Sequence, residues 1–147
     1  MDPLRLVGTW DFRREIEHAD GAAYTAAGEA VFSPEEDGRV RWAEHGTLRW
    51  AGGSTPVSRT LFLVRDGSGN SGGNKPAAGP GTVWHVTFED GRDFHPWTAG
   101  AVEHLCGRDL YEGGLAVPAV RTPEWELTWH VTGPEKDYVL HTRYTPR

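Results

Sequence analysis

The chain has a single cysteine and a single methionine among its 147 residues. One cysteine cannot close an internal disulfide, and without a Cys-x-x-Cys pair there is no framework for a structural zinc site. No apolar run approaches the roughly 20 residues that a helix needs to cross a bilayer. The opening stretch MDPLRLVGTW also lacks the basic segment and apolar run of a secretory signal. These absences predict a cytoplasmic protein with no membrane partner. Basic residues are outnumbered, 15 Lys and Arg against 21 Asp and Glu for a net charge of -6, and they are scattered among the acids. The stripe that neutralises nucleic-acid phosphates is therefore missing, which excludes nucleic acid as a partner. There is no Gly-x-Ser-x-Gly elbow for a nucleophilic serine, and no glycine loop ends in Gly-Lys-Ser to cradle nucleotide phosphates. Helical periodicity is scarce as well, so an α-helical domain is not expected.

What the chain does have is alternation of apolar and polar residues, broken at intervals by glycine. This pattern predicts an all-β, antiparallel meander in one domain spanning 1–147. Strands are expected at 7–17, 23–33, 39–50, 56–65, 82–89, 92–97, 101–109, 124–132 and 137–145, eight or nine in all. Turn residues mark the joints: ADGA at 19–22, EEDG at 35–38, AGG at 51–53, EDGR at 89–92 and GPEK at 133–136. An up-and-down sheet of this size protects its edges best by closing into a barrel, whose interior can hold one ligand. The stretch 66–81, DGSGNSGGNKPAAGPG, is too rich in Gly and Pro to pack and reads as a flexible loop, either an insertion at the barrel rim or a lid.

Opposed residues of a hairpin share a face, so a register can be tested by whether it sorts apolar from polar. Pairing Thr132 with Asp137 opposes Val131 to Tyr138, Trp129 to Leu140, Leu127 to Thr142 and Trp125 to Tyr144, with Glu126 opposite Arg143 on the other face. With Asp90 and Gly91 as a two-residue turn, Phe88 opposes Asp93, Val86 opposes His95 and Trp84 opposes Trp97. A further tight turn at 98–101 would oppose Trp97 to Val102, His95 to His104 and Asp93 to Cys106, making Asp93, His95, His104 and Cys106 one inward patch. Pro96 argues against that, because it removes a ladder donor and marks edges or bulges. Alternation also turns Trp10, Phe12, Arg14 and Ile16 to one face, and Trp42, Glu44, Gly46, Leu48 and Trp50 to one face. Arg14 and Glu44 thus lie on apolar faces, where an isolated charge is prohibitively costly. They either pair with each other or meet a ligand.

LVGTWDFRREI resembles the Gly-x-Trp first strand of the calycin superfamily, the lipocalins and their relatives. The ordered set GTWDFRREI, WAEHG, FEDGRDFH, HLCGRDLYEG and WHVTGPEKDY is similar to a family of small bacterial and fungal domains of unknown function assigned to that barrel class. The resemblance covers most of the chain apart from 66–81. It implies a calycin-like barrel with a central pocket, in which Trp10 packs at the closed end under Arg143 or Arg147. It also directs attention to Arg14, Glu44, Asp93, His95, His104, Cys106, Asp109, Tyr111, Lys136 and Tyr138. Asp109, Tyr111 and Lys136 have an alternative role in holding turns.

Three functions fit these residues. In an acid/base enzyme of cyclase, isomerase or lyase type, His95 would move the proton, Asp93 would orient it, His104 would assist and Arg14 would meet the developing anion. In a carrier, Trp84, Trp97, Trp125 and Trp129 would stack on a flat ligand, while Arg14, Glu44, Arg59, Cys106 and Tyr138 fix its polar end. In a zinc or haem barrel, His95, His104 and Cys106 would be the ligands. Strand-borne ligands without a paired motif favour the first two, so no metal and no cofactor is expected. The expected partner is a small molecule, with a homodimer left open. A lone cysteine such as Cys106 is more often a small core residue than a nucleophile. His18, His45, His85, His130 and His141 fall at turns or outward positions.

Overall fold

The computed structural model describes residues 2–66, 83–116 and 123–147. Apart from Asp66, the loop read at 66–81 lies outside them. A 3₁₀ turn, Pro3–Leu6, precedes ten strands: β1 Gly8–His18, β2 Ala23–Pro34, β3 Val40–Trp50, β4 Gly53–Arg65, β5 Trp84–Phe88, β6 Asp93–Pro96, β7 Gly100–Cys106, β8 Asp109–Ala116, β9 Trp125–Thr132 and β10 Asp137–Pro146. Among the described residues no helix is long and apolar enough to cross a membrane.

All ten strands form one antiparallel sheet in the order β6-β5-β4-β3-β2-β1-β10-β9-β8-β7. The first and last strands pair from Trp10–Pro146 to His18–Tyr138, so the barrel closes through its chain ends. The edges left over are β6 and β7, between which the described residues form no ladder. Rings bridge that seam instead, with Phe94 on β6 lying 5.3 Å from His104 on β7. The result is the expected up-and-down barrel, nearly closed, with ten strands in place of eight or nine.

The additional strand is β8, DLYEGGLA, where Gly113 and Gly114 interrupt the alternation that would reveal it. Gly113 is required by packing: a Cβ there would sit 2.2 Å from the Thr128 carbonyl and 2.5 Å from the Trp129 ring. A similar close approach bends β2 against β3. A Cβ on Gly28 would lie 2.1 Å from the His45 carbonyl, and one on Gly46 would lie 2.2 Å from the Ala27 carbonyl. Side-chain-free crossings of this kind let a sheet coil tightly enough to close.

In a meander, alternate turns lie at the same end. The end holding the chain termini and the β2–β3 turn is closed by aromatic packing. Trp10 is buried there, and its indole N–H donates to the Leu6 carbonyl at 2.7 Å. Phe32, Trp42, Trp97 and Trp125 fill the same half. The expected arginine over Trp10 is not found. Arg143 pairs with Glu126, and Arg147 pairs with Asp11 and Glu29, all on the outer face. At the opposite end the inward residues Ile16, Tyr24, Leu48, Tyr111, Tyr138 and Leu140 are only half-buried.

Candidate functional site

Between the packed half and the open half lies a layer of buried polar groups from four strands. Glu44 on β3 is 3% exposed, and period-two alternation forces it inward between Trp42 and Gly46. Its cross-strand neighbour on β4 is Arg59, whose Nε and Nη2 donate to Oε2 at 2.7 Å and Oε1 at 3.2 Å. Arg14 on β1 donates through Nη2 to Oε2 at 2.9 Å and through Nε to Thr142 Oγ1 at 2.7 Å. The Tyr144 hydroxyl and the Trp42 indole N–H donate to Oε1 at 2.5 and 3.1 Å. Burial alone would raise the Glu44 carboxyl, but the Arg59 and Arg14 guanidiniums outweigh it and hold the group at about 2. Burial, reinforced by the Glu44 charge, pushes the Tyr144 hydroxyl far up, so it stays a donor at all ordinary pH. The Arg14–Glu44 ion pair expected from the inward charges is thus present, within a larger set.

Arg59 differs from the rest of the layer. Its side chain is set deep among protein atoms, yet 30% of it remains exposed. Arg14 and Glu44 are 10% and 2% exposed, so Arg59 is the charged member of the layer that solvent reaches most.

Across the interior stand His95, Phe94 and Trp129. His95 is 4% exposed, and its ring lies 4.9 Å from Trp129. Nδ1 is 2.8 Å from the Pro96 carbonyl, which can only accept, so Nδ1 carries the proton and Nε2 is the basic nitrogen. Burial, chiefly, pulls the His95 imidazole down to about 4, and the Arg59 and His104 charges act in the same direction, against the hydrogen bond to Pro96. Phe94 stacks on Trp129 at 5.3 Å and on Phe88 at 4.6 Å. At the mouth, the His18 ring lies 5.2 Å from both Tyr24 and Tyr138, so His18 is a rim residue and not an outward one. Burial raises the Tyr138 hydroxyl. Lys136 pairs with Asp109 at 2.9 Å beside the β9–β10 turn.

The expected patch of Asp93, His95, His104 and Cys106 does not form. Gly91, at φ +90°, closes a three-residue loop, with Phe88 N–H bonded to the Arg92 carbonyl at 2.8 Å. This moves Asp93 opposite Thr87, and a bulge at Phe94 restores Val86–His95. Asp93 therefore points outward with an 84% exposed side chain and pairs with His85 at 3.2 Å, so it does not orient His95. Phe94 and His95 are both buried, as expected where a bulge places two residues against one. Since β6 and β7 share no ladder, His104 contacts Phe94, Phe88 and Tyr111, and Cys106 ends β7 half-buried opposite Asp109. Among the described residues no three His, Cys, Asp or Glu side chains gather to hold a metal.

The tryptophans divide between the two halves. Trp129 faces His95. Trp97 packs on Trp42 and Trp125 at 6.3 and 5.6 Å, Trp125 stacks on Tyr144 at 3.8 Å, and Trp84 lies under the Arg65 guanidinium. These three build the packed half. Tyr144, Thr142 and Phe94 also belong to the site. Tyr144 and Thr142 could have been found by extending the β9–β10 register onto β1, whereas the bulge hides Phe94. His95 also borders an outer cleft of about 290 Å³ with His85 and Asp66, which are hydrogen-bonded to each other. A larger concavity of about 590 Å³ lies on the outer face over Gly28 and touches none of the interior polar groups.

The fold is similar to that of the S-type phycobiliprotein lyase CPES from Guillardia theta, with a TM-score of 0.62 and 11% identity over 99% of this chain and 90% of that one. A de novo designed fluorescence-activating β-barrel matches with a TM-score of 0.43 and 16% identity over 96% of this chain and 93% of that one. At 11% identity the likeness to the lyase is one of fold alone. No curated protein matches the sequence. Residues 6–146 match the model of a family of unknown function (DUF6314), and the chain belongs to that family.

Proposed function

We propose that this protein is a small-molecule-binding β-barrel that takes a flat, apolar ligand into its open half and sets the ligand's polar end on the Arg59–Glu44 layer. The observation that carries this reading is Arg59, an inward cation opposite Glu44 and 5.3 Å from the Trp42 ring, whose side chain is still 30% exposed. Glu44 partners the Nε and Nη2 nitrogens of that guanidinium, and the exposed remainder of the side chain is open to water or to a ligand's polar group. Small barrels of this kind can enclose one ligand, and aromatic walls with a few convergent polar groups are the usual lining of such sites. In this reading the chain acts as one domain, and its partner is the ligand.

Binding is favoured over proton transfer because the two acids of the His95 cleft, Asp66 and Asp93, pair with His85, and burial holds His95 neutral. The acid/base reading, of cyclase, isomerase or lyase type, draws on one observation: with Nδ1–H fixed on Pro96, Nε2 is an unprotonated base in the interior. Titration of the purified protein with 8-anilinonaphthalene-1-sulfonate, followed by tryptophan quenching and thermal shift, tests the pocket. Saturable quenching is expected, and its absence would remove the reading. If a compound that binds is also converted, and His95→Ala stops conversion while binding persists, the enzyme reading replaces the carrier.

A further inference from the structure

We infer that the ligand is a monoanion, a carboxylate carried on a flat ring system, and that Arg59 receives it; this rests on the binding-barrel reading above. The inference follows from a count of charge and hydrogen-bonding capacity in the buried layer. Arg14 and Arg59 bring two positive charges, Glu44 brings one negative charge, and Trp42, Thr142 and Tyr144 are neutral. Glu44 has no capacity left, since Oε1 accepts from Trp42, Tyr144 and Arg59 while Oε2 accepts from Arg14 and Arg59. An ionised carboxylate offers about four lone-pair sites, so these donors saturate it. One positive charge is left unbalanced, and Arg59, at 30% side-chain exposure against 10% for Arg14, is the more accessible cation.

The interior is also short of acceptors. Among the described residues the indole N–H of Trp129, which faces His95, has no hydrogen-bond partner although the residue is only 3% exposed. Unpaired buried donors are few in native proteins and require a cause. A ligand bringing one negative charge and acceptor atoms meets both deficits, whereas a neutral apolar ligand meets neither.

The size of the charge selects among anions. A phosphate monoester carries roughly two negative charges at neutral pH and would overshoot in a layer that already holds Glu44. A carboxylate carries one, and it can accept from Nη1, the Arg59 nitrogen that is not bonded to Glu44. The rest of the molecule is selected by the half-buried rings at the open end, Tyr24, Tyr111 and Tyr138, since Phe94, His95 and Trp129 are buried against one another.

The test compares 2-naphthoate with 2-naphthamide, which share a ring system and differ in charge. Both are titrated into the intact protein by tryptophan quenching and calorimetry. The acid is expected to bind at least about tenfold more tightly than the amide, as for a hydrogen bond to a charged group. In Arg59→Met the acid should bind no more tightly than the amide, the ratio of the two affinities being the quantity read. If the amide binds as tightly as the acid, the carboxylate inference is overturned and the pocket stands. A preference that survives Arg59→Met overturns the role of Arg59. If neither compound nor 8-anilinonaphthalene-1-sulfonate binds, the binding-barrel reading falls and the inference falls with it. The wild-type comparison is decisive even if Arg59→Met does not fold.

Discussion

Replacing Glu44 with Gln removes the one negative charge that holds two inward arginines, Arg14 buried and Arg59 half-buried. The folded carboxyl titrates at about 2 against an ordinary 4.5, because Arg59 and Arg14 outweigh the effect of burial. That gap corresponds to about 3 kcal/mol of stability at neutral pH. Between pH 4.5 and 2 the unfolded chain binds more protons than the folded one. The contribution is therefore complete above pH 4.5 and is lost as pH falls toward 2. Gln keeps the shape of the side chain but leaves Arg14 and Arg59 without a counter-charge, and removing one partner of a buried ion pair costs about 3–5 kcal/mol. This is a large share of the roughly 5–15 kcal/mol by which a domain is stable. Urea unfolding followed by tryptophan fluorescence should show Glu44→Gln at least about 3 kcal/mol less stable than the wild type at pH 7. Its decline between pH 4.5 and 2 should also be shallower. The double variant Glu44→Gln/Arg59→Met should recover part of the loss, since it removes one of the two unbalanced cations. Equal midpoints at pH 7, or an unchanged acid limb, would refute the account of the layer.

His95 governs the higher-pH part of the same curve. The unfolded imidazole takes up a proton near pH 6.5 and the buried one only near 4, so stability should fall through that window by about 2 kcal/mol between pH 7.5 and 5. His95→Phe should flatten this limb in urea titrations at the two pH values, and an identical slope would show that His95 is not the group responsible. Gly28→Ala should lower stability by about 3 kcal/mol or more, because its Cβ would strike the backbone of His45 and Gly46 at 2.1 and 2.5 Å. Gly114→Ala, whose Cβ would meet nothing closer than the Gly100 carbonyl at 3.7 Å, should stay within about 0.5 kcal/mol. Thermal unfolding by circular dichroism distinguishes the two, and equal melting temperatures would remove the argument that Gly28 sets the coil of the sheet.

Where local alternation and a tight turn act together, the sequence determines the structure. The β9–β10 register, from Thr132–Asp137 to Trp125–Tyr144, follows from keeping apolar residues on one face and Glu126 opposite Arg143 on the other. That Arg14 and Glu44 are partnered follows from the cost of an inward charge, and Arg59 is recoverable as the residue opposite Glu44 once Ala51–Gly52 is taken as the β3–β4 turn. The same reasoning fails at β5–β6, because a three-residue loop and a bulge cancel beyond His95 and so leave little trace in the alternation. At β6–β7 it fails because two neighbouring strands became the edges of the sheet.

Only the tertiary structure decided which aromatics pack and which line the open half. It also decided that Thr142 and Tyr144, about a hundred residues or more from their partners Arg14 and Glu44, close the polar layer. A period of two states which face a side chain occupies. The height at which it meets residues from across the barrel depends on the twist and stagger of the whole sheet, which no single strand encodes.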